Sequence, residues 1–245
     1  MNEELILDAI MNIGEGILVS GGEIFRVEDS IHRMLSAYDI ERVDVFSITS
    51  AITVTIHTKD GKIFTNTRRV GQNNVNLNRL DMLNSLSRYI CKNRPGPDYI
   101  FEKHKQIMAC REYPLIIKNI AYATVSFSFC RIYGGNFSEC IISSILGIVL
   151  INLVDFFKKT EINHFISLIG ASYISGISGR LFSALFLLDP SKIAIGNIML
   201  LLPGLTITNS LRDLITGDLM AGILHLCDGL LIATCLASGF ALAQI

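Results

Sequence analysis

Five long apolar stretches dominate the second half of the chain and set what it can fold into. They run over residues 116–134, 138–157, 163–188, 193–211 and 219–244. A helix that crosses a bilayer needs about 20 mostly apolar residues, with roughly 17 to 25 tolerated. The first stretch is uncharged from Asn119 to Cys130, with Arg131 placed to snorkel at its end. The second is uncharged from Cys140 to Val154 and the fourth throughout, while the third carries Arg180 and the fifth Asp228. A buried helical core in a soluble protein is the competing reading, and so few charges over five near-continuous stretches argue against it.

The charge density steps down at the same place. Residues 1–118 carry 30 Asp, Glu, Lys and Arg, about the quarter usual for soluble domains, whereas residues 119–245 carry 13. The expected architecture is a small cytosolic α+β domain over residues 1–112, followed by an all-α membrane domain of five transmembrane helices over 113–245. A chain that is 50% apolar is not disordered, and a net charge of −1 leaves no basic footprint for nucleic acid. The opening Met-Asn-Glu-Glu has neither a positive n-region nor an early apolar h-region, so no cleaved signal peptide is expected. Cys91, Cys110, Cys130, Cys140, Cys227 and Cys235 form no C-x-x-C pair and read as reduced, small apolar residues, with no metal or other cofactor expected.

Loop charge gives an orientation. Lys103, Lys105, Arg111 and Lys118 precede the first stretch, Lys158 and Lys159 follow the second, and Arg212 follows the fourth. The loops at 134–136 and 188–192 are nearly free of positive charge. The positive-inside rule therefore puts the front half in the cytoplasm and, after an odd number of spans, the C-terminus outside. Gly229, Ala233, Ala237 and Ala241 recur every four residues on the fifth stretch, and Ser172/Gly176 and Ser175/Gly179 on the third, as small-residue faces where helices pack closely.

Ionisable groups at membrane depth are functional candidates because the bilayer penalises them. Arg180 has three readings: it snorkels outward, pairs with an acid, or holds a substrate carboxylate through its fork of donors. Asp228 lies about ten residues inside the fifth stretch, with His225 one turn earlier on the same face. It is placed to carry a proton, pair with Arg180, or coordinate a cation. In the fourth stretch Pro203-Gly204 removes a backbone donor and adds freedom, which marks either an ordinary kink or a broken helix that can bind a polar solute. The downstream Thr206, Thr208, Asn209, Ser210, Arg212 and Asp213 favour the second reading. Asp213 and Asp218 flank Gly217 in the following loop, where solvated turn residues are the simpler reading.

The front half alternates differently. Apolar periodicity predicts helices over 5–19 and 23–38, separated by Ser20-Gly21-Gly22. Strands are expected at 43–48, 52–58 and 62–68, with a hairpin turn at Lys59-Asp60-Gly61-Lys62. Helices follow at 76–92 and 98–110, around Pro95-Gly96-Pro97. No G-x-S-x-G, Walker A, G-x-G-x-x-G or H-E-x-x-H is present. Ser20, His32 and His57 do not by order alone make a triad.

Gly14 to Leu18 with Ser20-Gly21-Gly22-Glu23-x-x-Arg26-Val27-Glu28 resembles the opening motif of the threonine/serine exporter family. Thr67-Arg68-Arg69-Val70 is similar to its next landmark, and Leu202-Pro203-Gly204 with Arg212-Asp213 and Gly217-Asp218 to its membrane signature. The five-span pattern resembles the larger component of the split, two-component type, which is completed by a small all-membrane subunit. The resemblance implies a multi-pass inner-membrane exporter of threonine and serine or of a dicarboxylate such as succinate. The absence of an ATP-binding motif points to gradient-driven secondary transport. On this reading Arg180, Pro203, Gly204, Thr208, Asn209 and Arg212 line the pathway, Asp228 with His225 couples to protons, and the chain is not an enzyme. A homo-oligomer is plausible because five helices rarely enclose a pathway alone. The alternatives are a membrane-anchored ligand-binding domain without transport and a membrane-anchored hydrolase. The orientation has a direct check: in a cysteine-free background, a membrane-impermeant thiol reagent is expected to label Asn136→Cys in intact cells and Lys159→Cys only after permeabilisation, and the opposite pattern would invert the topology.

Overall fold

The computed structural model describes residues 3–71, 75–110, 113–160 and 162–244. Arg111, Glu161 and the side chains of Lys158 and Lys159 lie outside the described residues, so their place in the loop-charge argument is not tested. The chain divides into two compact units, one of Met1–Arg111 with Thr208–His225 and one of Glu112–Ile207 with Leu226–Ile245.

The first unit begins with α1 (Glu3–Val19) and α2 (Ile24–Ser36). α1 is buried on most of its circumference through Ile6, Ile10, Ile13 and Ile17 on one side and Leu7, Met11 and Leu18 on others. α2 is amphipathic, burying Ile24, Val27, Ile31, Met34 and Leu35. Three strands follow, β1 (Arg42–Ile48), β2 (Ala51–His57) and β3 (Ile63–Arg69), in an antiparallel sheet of order β1-β2-β3. The register places Val45 against Val54 and Val54 against Asn66. Strand alternation sends Ile52, Val54 and Ile56 into the core, and leaves the opposite face to Phe46 and to hydroxyl pairs, Thr53 with Thr67 and Thr55 with Thr65.

Arg68 points inward from the edge strand β3, against the apolar trend of that face. It finds Asp8, Asn12 and Glu15, spaced along one face of α1, and Asn66 adds a bond to Asp8. A guanidinium there is tolerated because Asp8, Asn12 and Glu15 all accept its hydrogen bonds. α3 (Leu77–Asn93) starts at Asn76, whose side chain accepts from Arg79 N at 3.0 Å, and ends on the left-handed Arg94 before Pro95. α4 (Pro97–Met108) opens with proline in its first turn. Burial holds the His104 imidazole below its ordinary pKa, beside Glu15 and Arg68.

The second unit is helical. It contains α5 (Leu115–Ile132), α6 (Phe137–Lys159), α7 (His164–Phe186), α8 (Pro190–Leu201), the start of α9 (Gly204–Thr216) and most of α10 (Leu219–Leu242). Four described helices are long and apolar enough to cross a membrane, and five spans result if the bent pair α8 and α9 counts as one. The fourth expected segment, 193–211, is therefore two helices over a longer range, bent by 55° at Leu202-Pro203. Its start moves back because Asp189 caps at Ser191 N and Pro190 sits in the first turn; its end moves forward because the polar run to Thr216 stays helical.

α5, α6 and α8 pack mutually, with α7 against α6 and α8. Asn136 and Glu139 form a capping box at the start of α6. The buried Glu139 also accepts from Asp189 N at 3.0 Å and lies 3.9 Å from Lys192 Nζ, so one carboxylate ties the N-termini of α6 and α8. Arg131 donates to the Gly135 carbonyl at 2.8 Å. The small-residue faces on α7 are used: Ser172 meets Gly239, and Gly176 meets Ala243. The strip expected on α10 is only partly used. Gly229 is buried against Ile207, but Ala237 and Ala241 are exposed, and the packed face runs instead through Leu236, Gly239, Phe240 and Ala243. Close approach to α7 is set by the glycine at 239, which a four-residue ladder from 229 does not include.

The core makes a quantitative expectation. Ile13→Ala empties a fully buried site in α1 and is expected to cost about 3 kcal/mol, whereas Thr55→Ala on the open sheet face costs under about 1 kcal/mol, measured as melting shifts of the full chain in detergent.

Candidate functional site

The break that ends α8 is local chemistry. Pro203 has no N–H to offer the Met199 carbonyl, and Leu202 takes an extended backbone at the α8 C-cap. The chain then turns into α9, where Gly204 lacks a Cβ and has open space around it. Thr208 is exposed and Asn209 half-buried in this helix, and Ser210 is buried, donating to the Gly222 carbonyl at 2.8 Å.

Residues Thr208–His225 belong to the first unit, and their contacts there are specific. Ala221, at the start of α10, is buried in the same core as α1 and α2. Arg212 bonds Glu23. Glu23 is the N-cap of α2 and also faces Arg26 at 3.9 Å. The motif around Glu23 now has a physical account. Gly21 adopts φ +94°, and a Cβ on Gly22 would stand 2.8 Å from the Ile17 carbonyl oxygen, so both glycines are required for the tight turn that presents Glu23. Val27 is buried. Glu28 accepts from Ser47 N at 2.7 Å and Ser47 Oγ at 3.1 Å; burial, with Asp218 nearby, pushes its carboxyl above the ordinary range against the pull of those two donors.

Asp213 is not a solvated turn residue. α9 continues through it, and its side chain is 1% exposed, with Oδ2 3.0 Å from His225 Nδ1. His225 therefore faces Asp213 across the α9–α10 turn and makes no hydrogen bond to Asp228. Asp218 accepts from Ala221 N at 3.2 Å and caps α10, and Gly217 supplies a φ of +95° between the helices.

The other charges expected at membrane depth sit apart. Arg180 is exposed and donates to the Ala243 carbonyl at 2.6 Å, satisfying a group at the C-terminal end of α10. Asp228 is exposed and forms no ion pair among the described residues, so the pairing of Asp228 with Arg180 is absent within this chain. The sequence reading passed over a buried polar cluster in the second unit: Ser126 Oγ lies 2.8 Å from Ser143 Oγ and 2.9 Å from Asn197 Oδ1, and Asn197 Nδ2 is buried without a hydrogen-bond partner among the described residues. Its signal was present in the sequence, as the lone amide in the apolar run 193–207. Ser20, the hydroxyl a hydrolase reading would use, is fully buried and makes no side-chain hydrogen bond among the described residues, so no base activates it. No group of described His, Cys, Asp and Glu is arranged to hold a metal.

The family model for threonine/serine exporters matches residues 8–244. The chain belongs to the threonine/serine exporter family. It is 22% identical over 240 residues to a "Probable threonine/serine exporter" of Mycobacterium tuberculosis, covering 96% of this chain and 45% of that protein. It is 25% identical over 226 residues to the threonine/serine exporter of Corynebacterium glutamicum, covering 86% of this chain and 45% of that one. The chain thus spans somewhat under half the length of these exporter relatives. No solved structure matches it. The Asp213–His225 pair is a buried contact with a direct energetic test. Asp213→Asn and His225→Gln are each expected to lower the melting temperature, with a coupling of about 1–3 kcal/mol in the double-mutant cycle; additive effects would show that the two side chains do not interact.

Proposed function

We propose that the chain forms part of a secondary exporter of a small carboxylate-bearing metabolite, either threonine and serine or a dicarboxylate such as succinate, driven by an ion gradient. Membership of the exporter family supports a membrane transporter. The observation that carries the mechanism is the 55° break between α8 and α9, because a broken span leaves main-chain polar groups to meet a solute at membrane depth. In this reading Pro203 and Gly204 create the break, and Thr208, Asn209 and Arg212 line the path away from it. Arg180 meets a substrate carboxylate by exchanging its bond to the Ala243 carbonyl. Asp228, lacking an ion-pair partner among the described residues, is the proton-coupling group, and His225 tunes it from the neighbouring turn while holding Asp213.

The first unit lies in the cytoplasm and the spans in the inner membrane, with the C-terminus outside. The rest of a pathway the size of the relatives' comes from a small all-membrane subunit of the same family, or from further copies of this chain. The substrate is decided by accumulation of labelled threonine, serine and succinate in cells with and without the assembled complex: the exported compound accumulates less when the complex is present, and equal accumulation of all three would end the export reading. In vesicles, Asp228→Asn is expected to reduce gradient-driven efflux at least tenfold while leaving exchange of substrate across the membrane, and unchanged efflux would remove Asp228 from coupling.

A further inference from the structure

The first unit carries a groove of about 820 Å³ walled by α2, α3 and the last turns of α9. Its charged lining is Arg26, Arg33, Arg88 and Arg212 against Glu23 and Asp29. The pairing within it is uneven. Glu23 is shared by Arg212 and, at 3.9 Å, Arg26. Asp29 holds Arg33 at 2.8 Å. Arg88 has no carboxylate in the groove and donates to the Ser85 hydroxyl at 2.9 Å. Four guanidinium groups against two carboxylates leave two positive charges among the lining residues.

The chemistry of the excess is specific. Every cation is an arginine, whose planar fork matches carboxylate and phosphate oxygens two at a time, and none is a lysine. Arg26, Arg33 and Arg212 are half or more exposed, so each can turn toward a ligand without opening the core. The volume falls in the range of small-molecule sites, roughly 300–1,000 Å³. A zwitterion brings an ammonium group into this positive excess, whereas a dianion neutralises it. The groove also joins two sequence landmarks, since Glu23 belongs to the turn before α2 and Arg212 to the helix that follows the break.

We propose that this groove, in the first unit, binds a small dianion, a molecule bearing two carboxylates or a phosphate group. The occupant draws Arg33 and Arg88 from one side and Arg26 and Arg212 from the other, and so competes with Glu23 for Arg212. The proposal goes beyond the export reading and does not require it.

The test is calorimetric titration of the purified full-length protein in nanodiscs with succinate, inorganic phosphate and threonine. One dianion is expected to bind saturably, at least tenfold more tightly than threonine, and at least tenfold more weakly to the Arg33→Gln, Arg88→Gln double variant. The melting temperature of that variant, both sites being exposed, is expected to match the parent, and Arg33→Lys, Arg88→Lys is expected to retain part of the binding because it keeps the charge. Tighter phosphate identifies a phosphorylated occupant and tighter succinate a dicarboxylate. Binding of neither dianion, equal binding of threonine, or binding undiminished in the glutamine variant would overturn the proposal. Flux measured on the same preparation separates the two ideas: binding without flux leaves the groove and removes export, and flux without binding does the reverse.

Discussion

In the apolar half of the chain every polar group has to be satisfied by the protein, because hydrocarbon offers neither donors nor acceptors. Much of the second unit's architecture follows from that rule. Asn136 and Glu139 close the open amides of α6, and the same Glu139 carboxylate reaches the first amides near α8. Arg131 returns to the Gly135 carbonyl, Arg180 to Ala243, and the serines of α5 and α6 to each other and to Asn197. Where the rule is relaxed, at Pro203, the helix turns by 55°. The unpaired Asn197 amide is the second relaxation. Both occur in one segment, residues 190–216, while on α7 the buried hydroxyls of Ser175 and Ser183 also lack partners among the described residues.

The first unit obeys a different constraint, packing density. Isoleucines along α1 and β2 fill a core beside which Arg68 is held by Asp8, Asn12 and Glu15. The family-like landmarks in this unit have a mechanical account. The Ser20 to Glu28 turn presents Glu23 to Arg212, and the strand ending Arg68-Arg69-Val70 docks on α1. Ser20 itself contributes a buried hydroxyl with no partner among the described residues.

What the sequence revealed and what it hid divide along the range of the interactions involved. The spans, three strands and four N-terminal helices were legible because each depends on periodicity within one segment: alternation at Ile52, Val54 and Ile56, helical three- and four-residue spacing at Ile6, Ile10, Ile13 and Ile17, and apolar length in α6 and α10. The membrane helix break was legible from Pro203-Gly204. Contacts closed by the fold were not. His225 looks toward Asp228 on a helical wheel, yet the α9–α10 turn brings Asp213 closer. Asp213 looks like a loop residue until α9 is seen to extend to Thr216. The alanine repeat on α10 suggested a packing face, but the face that packs is chosen by Gly239 against Ser172 and Ala243 against Gly176. Arg180 and Asp228 were recognisable as costly residues, and their separation within the chain could not be read from charge alone.

The connection between α9 and α10 is two residues long, Gly217 and Asp218, with Asp213 and His225 clasped across it and Ala221 embedded in the first unit's core. A joint so short and so braced has no slack. Its whole change of direction is carried by Asp218 and by Gly217 at φ +95°, so a side chain placed at 217 strains the turn and the Asp213–His225 clasp together.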